Sequence, residues 1–200
     1  MRTAYALLGI LWVIVIGATW WGTHGGFTEP DYSATITSTT TPAMSFTLTS
    51  TSFEADGSIP SRYTCDDRRD LNPPLTIANV PEGAKSLALI MDDPDVPKAL
   101  KPDGVFDHWV VYAIPPQTLE IQEGAHVGVT GLNSAGKTAY TGPCPPSEYE
   151  PKEHRYVFTI YAVKGSPTFT KAPTKGQLLA AIQDKILAKA VLTGRYAKKQ

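Results

Sequence analysis

The chain holds only two cysteines in 200 residues, Cys65 and Cys144. They form no C-x-x-C pair, which removes the commonest thiol-based zinc and redox motifs. No G-x-S-x-G elbow, Walker-type phosphate loop or H-E-x-x-H pair occurs either. The best-known hydrolase, nucleotide and metalloprotease signatures are therefore missing. Excess charge of one sign is also lacking. Eighteen Lys and Arg against 19 Asp and Glu leave a formal net charge of -1. Nothing in that balance draws the chain to nucleic acid. No internal repeat is visible.

Turn formers are abundant, with 17 prolines and 16 glycines. Such punctuation fits a strand-rich fold better than a helical bundle. One segment lacks charge altogether, AYALLGILWVIVIGATWW at 4–21. As a helix it would span about 27 Å, close to the hydrocarbon thickness of a bilayer. Residues 1–22 are thus expected to be a transmembrane anchor, with a cleaved signal peptide as the alternative. Arg2 precedes the run, which orients the N-terminus to the cytoplasm. The expected placement is a membrane-anchored, extracytoplasmic domain; the alternative is secretion after cleavage. Residues 23–43 are rich in Thr, Ser and Gly and read as a flexible linker. A domain over 44–200 follows. The two cysteines offer a disulfide there, and sequence leaves open whether they meet.

Within the domain, SFTLTST at 45–51 alternates like a half-buried strand. Residues 86–91, 108–114 and 155–163 are short apolar runs rich in β-branched and aromatic residues. One helix is expected near the C-terminus. Thr174 and Gln177 have capping-box spacing, and Leu178, Leu179, Ile182, Ile186 and Ala190 form a helical stripe that Gly194 would end.

Three histidines lie in this domain: His108, His126 and His154. His108 opens one predicted strand, His154 nearly opens another, and Asp93 follows a third. Neighbouring strands would bring Asp93, His108 and His154 to one rim of a sheet, where rigid elements suit a binding site.

DPDVP at 93–97, DHWVVYAIP at 107–115, GKTAYTGPCPP at 136–146 and HRYVFTIYAV at 154–163 occur in that order. With them, residues 53–198 resemble the phosphatidylethanolamine-binding protein family, in its bacterial and archaeal branch. The resemblance implies a mainly β fold, an antiparallel β-sandwich with a few peripheral helices, including the C-terminal amphipathic one. It implies an anion pocket of Asp93, His108, His154 and Tyr156, with residues 143–146, Pro143 and Pro145 among them, shaping one wall. In such a pocket Asp93 would fix the tautomer of His108 and favour its charged form. Imidazolium N–H groups and the Tyr156 hydroxyl would then donate to the anion, with affinity rising below about pH 6.5. Pro94, Asp95, Pro97, Trp109 and Arg155 would support the motif. Lys152 stands where the family carries glycine.

The expected function is a binding protein without catalysis or cofactor. Its ligand would be phosphate, a phospholipid headgroup or a carboxylate, with a role as inhibitor or regulator of a protease or kinase. Nucleic acid is no expected partner; the membrane is, through residues 1–22. The alternative is a metal-dependent enzyme with Asp93, His108 and His154 as ligands.

Overall fold

The computed structural model describes residues 44–67 and 69–199. Three strands form a small sheet: β1 (Thr47–Thr49), β2 (Leu75–Ala78) and β5 (Glu120–Ile121), in the order β1-β2-β5. Five form a larger one: β3 (Ser86–Asp93), β4 (Phe106–Ile114), β6 (Val129–Thr130), β7 (Glu153–Val163) and β8 (Ile186–Ala197). Their order is β6-β4-β3-β7-β8, and every pairing in both sheets is antiparallel. Leu48 and Ile77 of the small sheet pack with Leu89, Met91, Phe158 and Ile160 of the large one. Each such side chain contributes about 1.5–3 kcal/mol by leaving water. This is the antiparallel sandwich the resemblance implied.

The other face of the large sheet is covered by helix α1 (Lys175–Ile182), which sets Leu178 and Ile182 on Ile90, Val110 and Tyr112. β3 is therefore buried on both sides, which explains its unbroken apolar run. The Thr174–Gln177 capping box forms. The helix stops at Ile182, however, and Ile186 and Ala190 lie on β8 rather than on its stripe. A spacing of four suits one helix face and one strand face alike. β8 wins because it pairs with β7 from Val163↔Ile186 to Glu153↔Ala197. Gly194 is a strand residue, not a stop. A Cβ there would lie 2.5 Å from Ile59 Cγ1.

Two irregularities in β4 matter. Leu87 faces Ile114 and Leu89 faces Val111, so Tyr112 and Ala113 share one partner residue. Ala113 adopts φ 52°, a left-handed backbone that disfavours a Cβ. Ala113→Gly is expected to raise stability by about 1 kcal/mol, a rise of a few degrees in thermal midpoint. A lower midpoint would show that its methyl packing outweighs the strain. The second shift lies where Met91 faces Trp109 and Asp92 faces Asp107. His108 is the extra residue of that bulge.

Behind the bulge, on the helix side, Lys175 bridges Asp92 at 3.0 Å and Asp107 at 2.5 Å. Burial pushes the Asp92 carboxyl up to about 6; Lys175 opposes the rise and Asp107 adds to it. A folded value above the unfolded one means the fold holds the proton more tightly. Stability therefore declines as pH climbs from about 4 to about 6. Asp92→Asn is expected to gain up to about 3 kcal/mol at pH 7 and nothing at pH 4. Urea unfolding at both pH values reads this, and an equal effect at both contradicts it.

Among the described residues no helix is long and apolar enough to cross a membrane. Helix α1 has 8 residues, where a crossing needs about 20. The segments expected at 1–22 and 23–43 lie outside the described residues.

Candidate functional site

Side chains alternate along a strand, and here the alternation carries the core face past the end of the core. On β7, His154, Tyr156 and Phe158 share that face; on β3, Met91 and Asp93 do. The bulge adds His108 beside Trp109. A bulge next to a site commonly re-aims a side chain in this way. Asp93, His108, His154 and Tyr156, drawn from three adjacent strands, thus converge at one end of the large sheet. All four are buried, with His154 and Tyr156 at 0% exposure.

Their contacts differ from the expected ones in one respect. Asp93 Oδ2 lies 2.7 Å from Nδ1 of His154, not against His108. Asp93 Oδ1 accepts from the Asp95 backbone N–H at 2.9 Å, which shapes the turn after β3. His108 instead donates from Nδ1 to the Thr141 carbonyl at 2.7 Å. Burial pushes His108 below the ordinary histidine value, against the pull of the Thr141 carbonyl and of Asp93 and Asp107. The His108 ring meets Tyr156 edge-on, with centroids 5.2 Å apart. Two atoms stand out. His154 Nε2 and Tyr156 Oη are buried and have no hydrogen-bond partner among the described residues. Native folds rarely leave such groups unpaired without a reason. Burial also drives the Tyr156 phenol far above its ordinary value, so it stays a donor.

Asp93, His108 and His154 line a cavity of about 460 Å³. That is within the usual range for small-molecule pockets. Val96, Leu100 and Phe106 give it an apolar side, and Lys101 stands on its wall. Pro143 and Pro145 do not line it; Gly142, Cys144 and Pro146 do. Alternate residues of the run thus face the cavity, two of them within the expected stretch 143–146. Cys144 is joined to Cys65 in a disulfide with Cα atoms 5.4 Å apart. The disulfide thereby braces a cavity wall.

The supporting residues are spread around this frame. Asp95 takes the Arg155 guanidinium at 2.6 and 2.9 Å and the Arg155 backbone N–H at 2.8 Å. That tie fixes the loop after β3 to β7, and it lowers the Asp95 carboxyl. Pro97 offers its carbonyl to Leu100 and Lys101, and Pro94 sits in the preceding turn. Trp109 packs edge-on against Tyr140 and lines a separate cavity. Lys152 needs no glycine-like backbone, since its φ is not positive. Its ammonium bonds the Ser147 carbonyl instead.

The sequence places Asn133 and Thr141 beside and in the GKTAYTGPCPP motif, but without a role in this site. Asn133 Nδ2 donates to the Ala139 carbonyl and to Thr141 Oγ1, both at 3.0 Å. Its Oδ1 accepts from the Ala135 and Lys137 N–H groups. A single amide thus holds the loop that brings Thr141 to His108. The signal was Asn133 itself, a residue suited to bonding nearby backbone, just before GKTAYT.

The family profile for phosphatidylethanolamine-binding protein matches residues 49–197. The chain belongs to the phosphatidylethanolamine-binding protein family. A UPF0098 protein of Chlamydia pneumoniae is 42% identical over 152 residues, covering 76% of this chain and 98% of its own. One from the archaeon Methanothermobacter thermautotrophicus is 39% identical, covering 73% of this chain and 95% of its own. Among solved structures, a phosphatidylethanolamine-binding protein homolog from Chlamydia trachomatis superposes with TM-score 0.73 at 41% identity, covering 78% of this chain and 99% of its own. An Escherichia coli protein, described as a new member of the mammalian family, gives 0.68 at 25%, with 78% and 100% covered.

These family relationships correct the expected localisation. The Chlamydia pneumoniae relative is matched over 98% of its length by 152 residues, 76% of this chain. No helix among the described residues crosses a membrane. The expectation of a membrane-anchored, extracytoplasmic domain, or of one secreted after cleavage, is withdrawn. Nothing in the structure supports the metal-enzyme alternative. No group of three His, Cys, Asp or Glu among the described residues is placed to hold a metal ion. Asp93 and His154 spend their facing atoms on each other.

Proposed function

We propose that this member of the phosphatidylethanolamine-binding protein family binds a small oxyanion in the cavity beside Asp93, His108, His154 and Tyr156. Phosphate, a phosphate ester headgroup or a carboxylate all share the chemistry. The observation that carries the reading is the pair of buried, unpartnered atoms, His154 Nε2 and Tyr156 Oη. An oxyanion supplies what both lack. With Nδ1–H donated to Asp93, a protonated His154 presents Nε2–H as a second donor, its charge balanced by the carboxylate. Charge-assisted bonds of this kind contribute about 1.5–3 kcal/mol each. Asp93 spends its oxygens on His154 Nδ1 and the Asp95 backbone N–H rather than facing the anion with them. Binding would give both orphaned atoms a partner.

Tyr156→Phe tests the reading. It removes one donor and leaves the ring. Phosphate affinity, read by calorimetry, is expected to fall about tenfold. Stability is expected to hold or rise by about 1 kcal/mol, because an unpaired buried hydroxyl is gone. Unchanged affinity would sink the proposal. A loss of stability would mean that the hydroxyl serves the fold.

A further inference from the structure

We propose that His108 makes this cavity select oxyanions that carry a proton. The preferred ligand is the monoanion R–O–PO₃H⁻ of a phosphate monoester, over phosphodiesters and sulfate esters of equal charge. The inference deepens the anion-binding reading above and rests on it.

The donor and acceptor pattern is fixed by geometry. The partner of His108 Nδ1 is a backbone carbonyl, at 2.7 Å. A carbonyl only accepts, so the proton sits on Nδ1. In the neutral ring Nε2 is then a lone pair. The ring lines the cavity, and Nε2 has no partner among the described residues. The neutral form is the one the site favours, since burial disfavours charge on this ring. Charged neighbours do not reverse this. Asp93 on β3 is engaged by His154, Asp107 precedes the ring on β4, and His154 itself opposes a second positive charge. Tyr156 meets the ring by its edge, and Lys101 bonds Asp103 at 2.6 Å.

Two donors and one acceptor thus stand at the cavity: Nε2–H of His154, which lines it, the unpartnered O–H of Tyr156, whose ring meets His108, and His108 Nε2. A fully ionised anion has only acceptors. Its oxygen would face a lone pair at His108, or the ring would have to take a proton that burial disfavours. A monoester monoanion has one O–H and two free oxygens, which matches the three protein groups one for one. Sites built to bond a ligand hydrogen reject analogues without it far more strongly than they reject a change in size. The reading also separates two sources of phosphate chemistry. A free monoester carries the O–H, whereas a phospholipid diester does not.

Calorimetry at pH 7 with methyl phosphate, dimethyl phosphate and methyl sulfate tests it. Roughly a tenth of methyl phosphate is monoanion there, since its second ionisation lies near pH 6. Counted per monoanion, methyl phosphate is expected to bind at least tenfold tighter than either analogue. In His108→Gln, whose amide can turn an N–H to the ligand, the preference is expected to shrink to within about threefold. Equal affinities in the unsubstituted protein overturn the inference and leave the anion site standing. A preference that survives His108→Gln also overturns it. If none of the three binds, the anion reading itself falls.

Discussion

His154→Ala is expected to cost both affinity and stability, by separable routes. The ligand loses its buried imidazole donor, which at about 1.5–3 kcal/mol is a 10- to 150-fold drop in phosphate affinity. The fold loses the partner of Asp93, a carboxylate only 3% exposed. A buried charge left without its partner typically costs 3–5 kcal/mol. The two effects part company in Asp93→Asn/His154→Ala. Without the carboxylate nothing charged is stranded, so most of the stability is expected to return while affinity stays low. Calorimetry and urea unfolding on the single and double variants read the cycle. Full affinity in His154→Ala, or affinity recovering with stability in the double variant, would place the histidine in the scaffold alone.

The second large effect concerns the disulfide. Cys65 and Cys144 are 79 residues apart in sequence, and closing so long a loop contributes about 4 kcal/mol in the chain-entropy account. Cys65→Ser/Cys144→Ser is therefore expected to lower the thermal midpoint by on the order of 10 °C. Location adds a second consequence. Cys144 lies between Gly142 and Pro146 on the cavity wall, three residues beyond the Thr141 carbonyl that His108 uses. Loosening that wall is expected to weaken phosphate binding as well. A midpoint shift below about 3 °C would mean that the loops are held by other contacts. The Cys65 N–H to Pro143 carbonyl bond, at 3.0 Å, is the first of those.

Much of this site can be read from the chain, and the reason is local. Strand ends are legible from apolar runs, and Asp93, His108 and His154 each stand at such an end. The runs thus put three groups on one rim without any knowledge of the pairing. The partner choice was not legible. It depends on the bulge at His108, which turns that ring toward Thr141 and leaves His154 to Asp93. One residue of register decides it, and register is a property of two strands at once. The same limit hid which residues of the wall face inward. Pro143 and Pro145 look like the stiff elements of GPCPP, yet the phase of the extended run points Gly142, Cys144 and Pro146 inward. β8 was hidden for another reason. Ile182, Ile186 and Ala190 satisfy a helix and a strand equally, and only the long partner strand β7 breaks the tie. Whether Cys65 meets Cys144 is likewise a tertiary fact.

The most direct measurement is a crystal of the protein soaked in methyl phosphate at pH 6. The expected result is phosphate density in the cavity, with oxygens about 2.7–3.2 Å from His154 Nε2 and from Tyr156 Oη. Density elsewhere on the surface, with those two atoms still unpaired, would contradict the account.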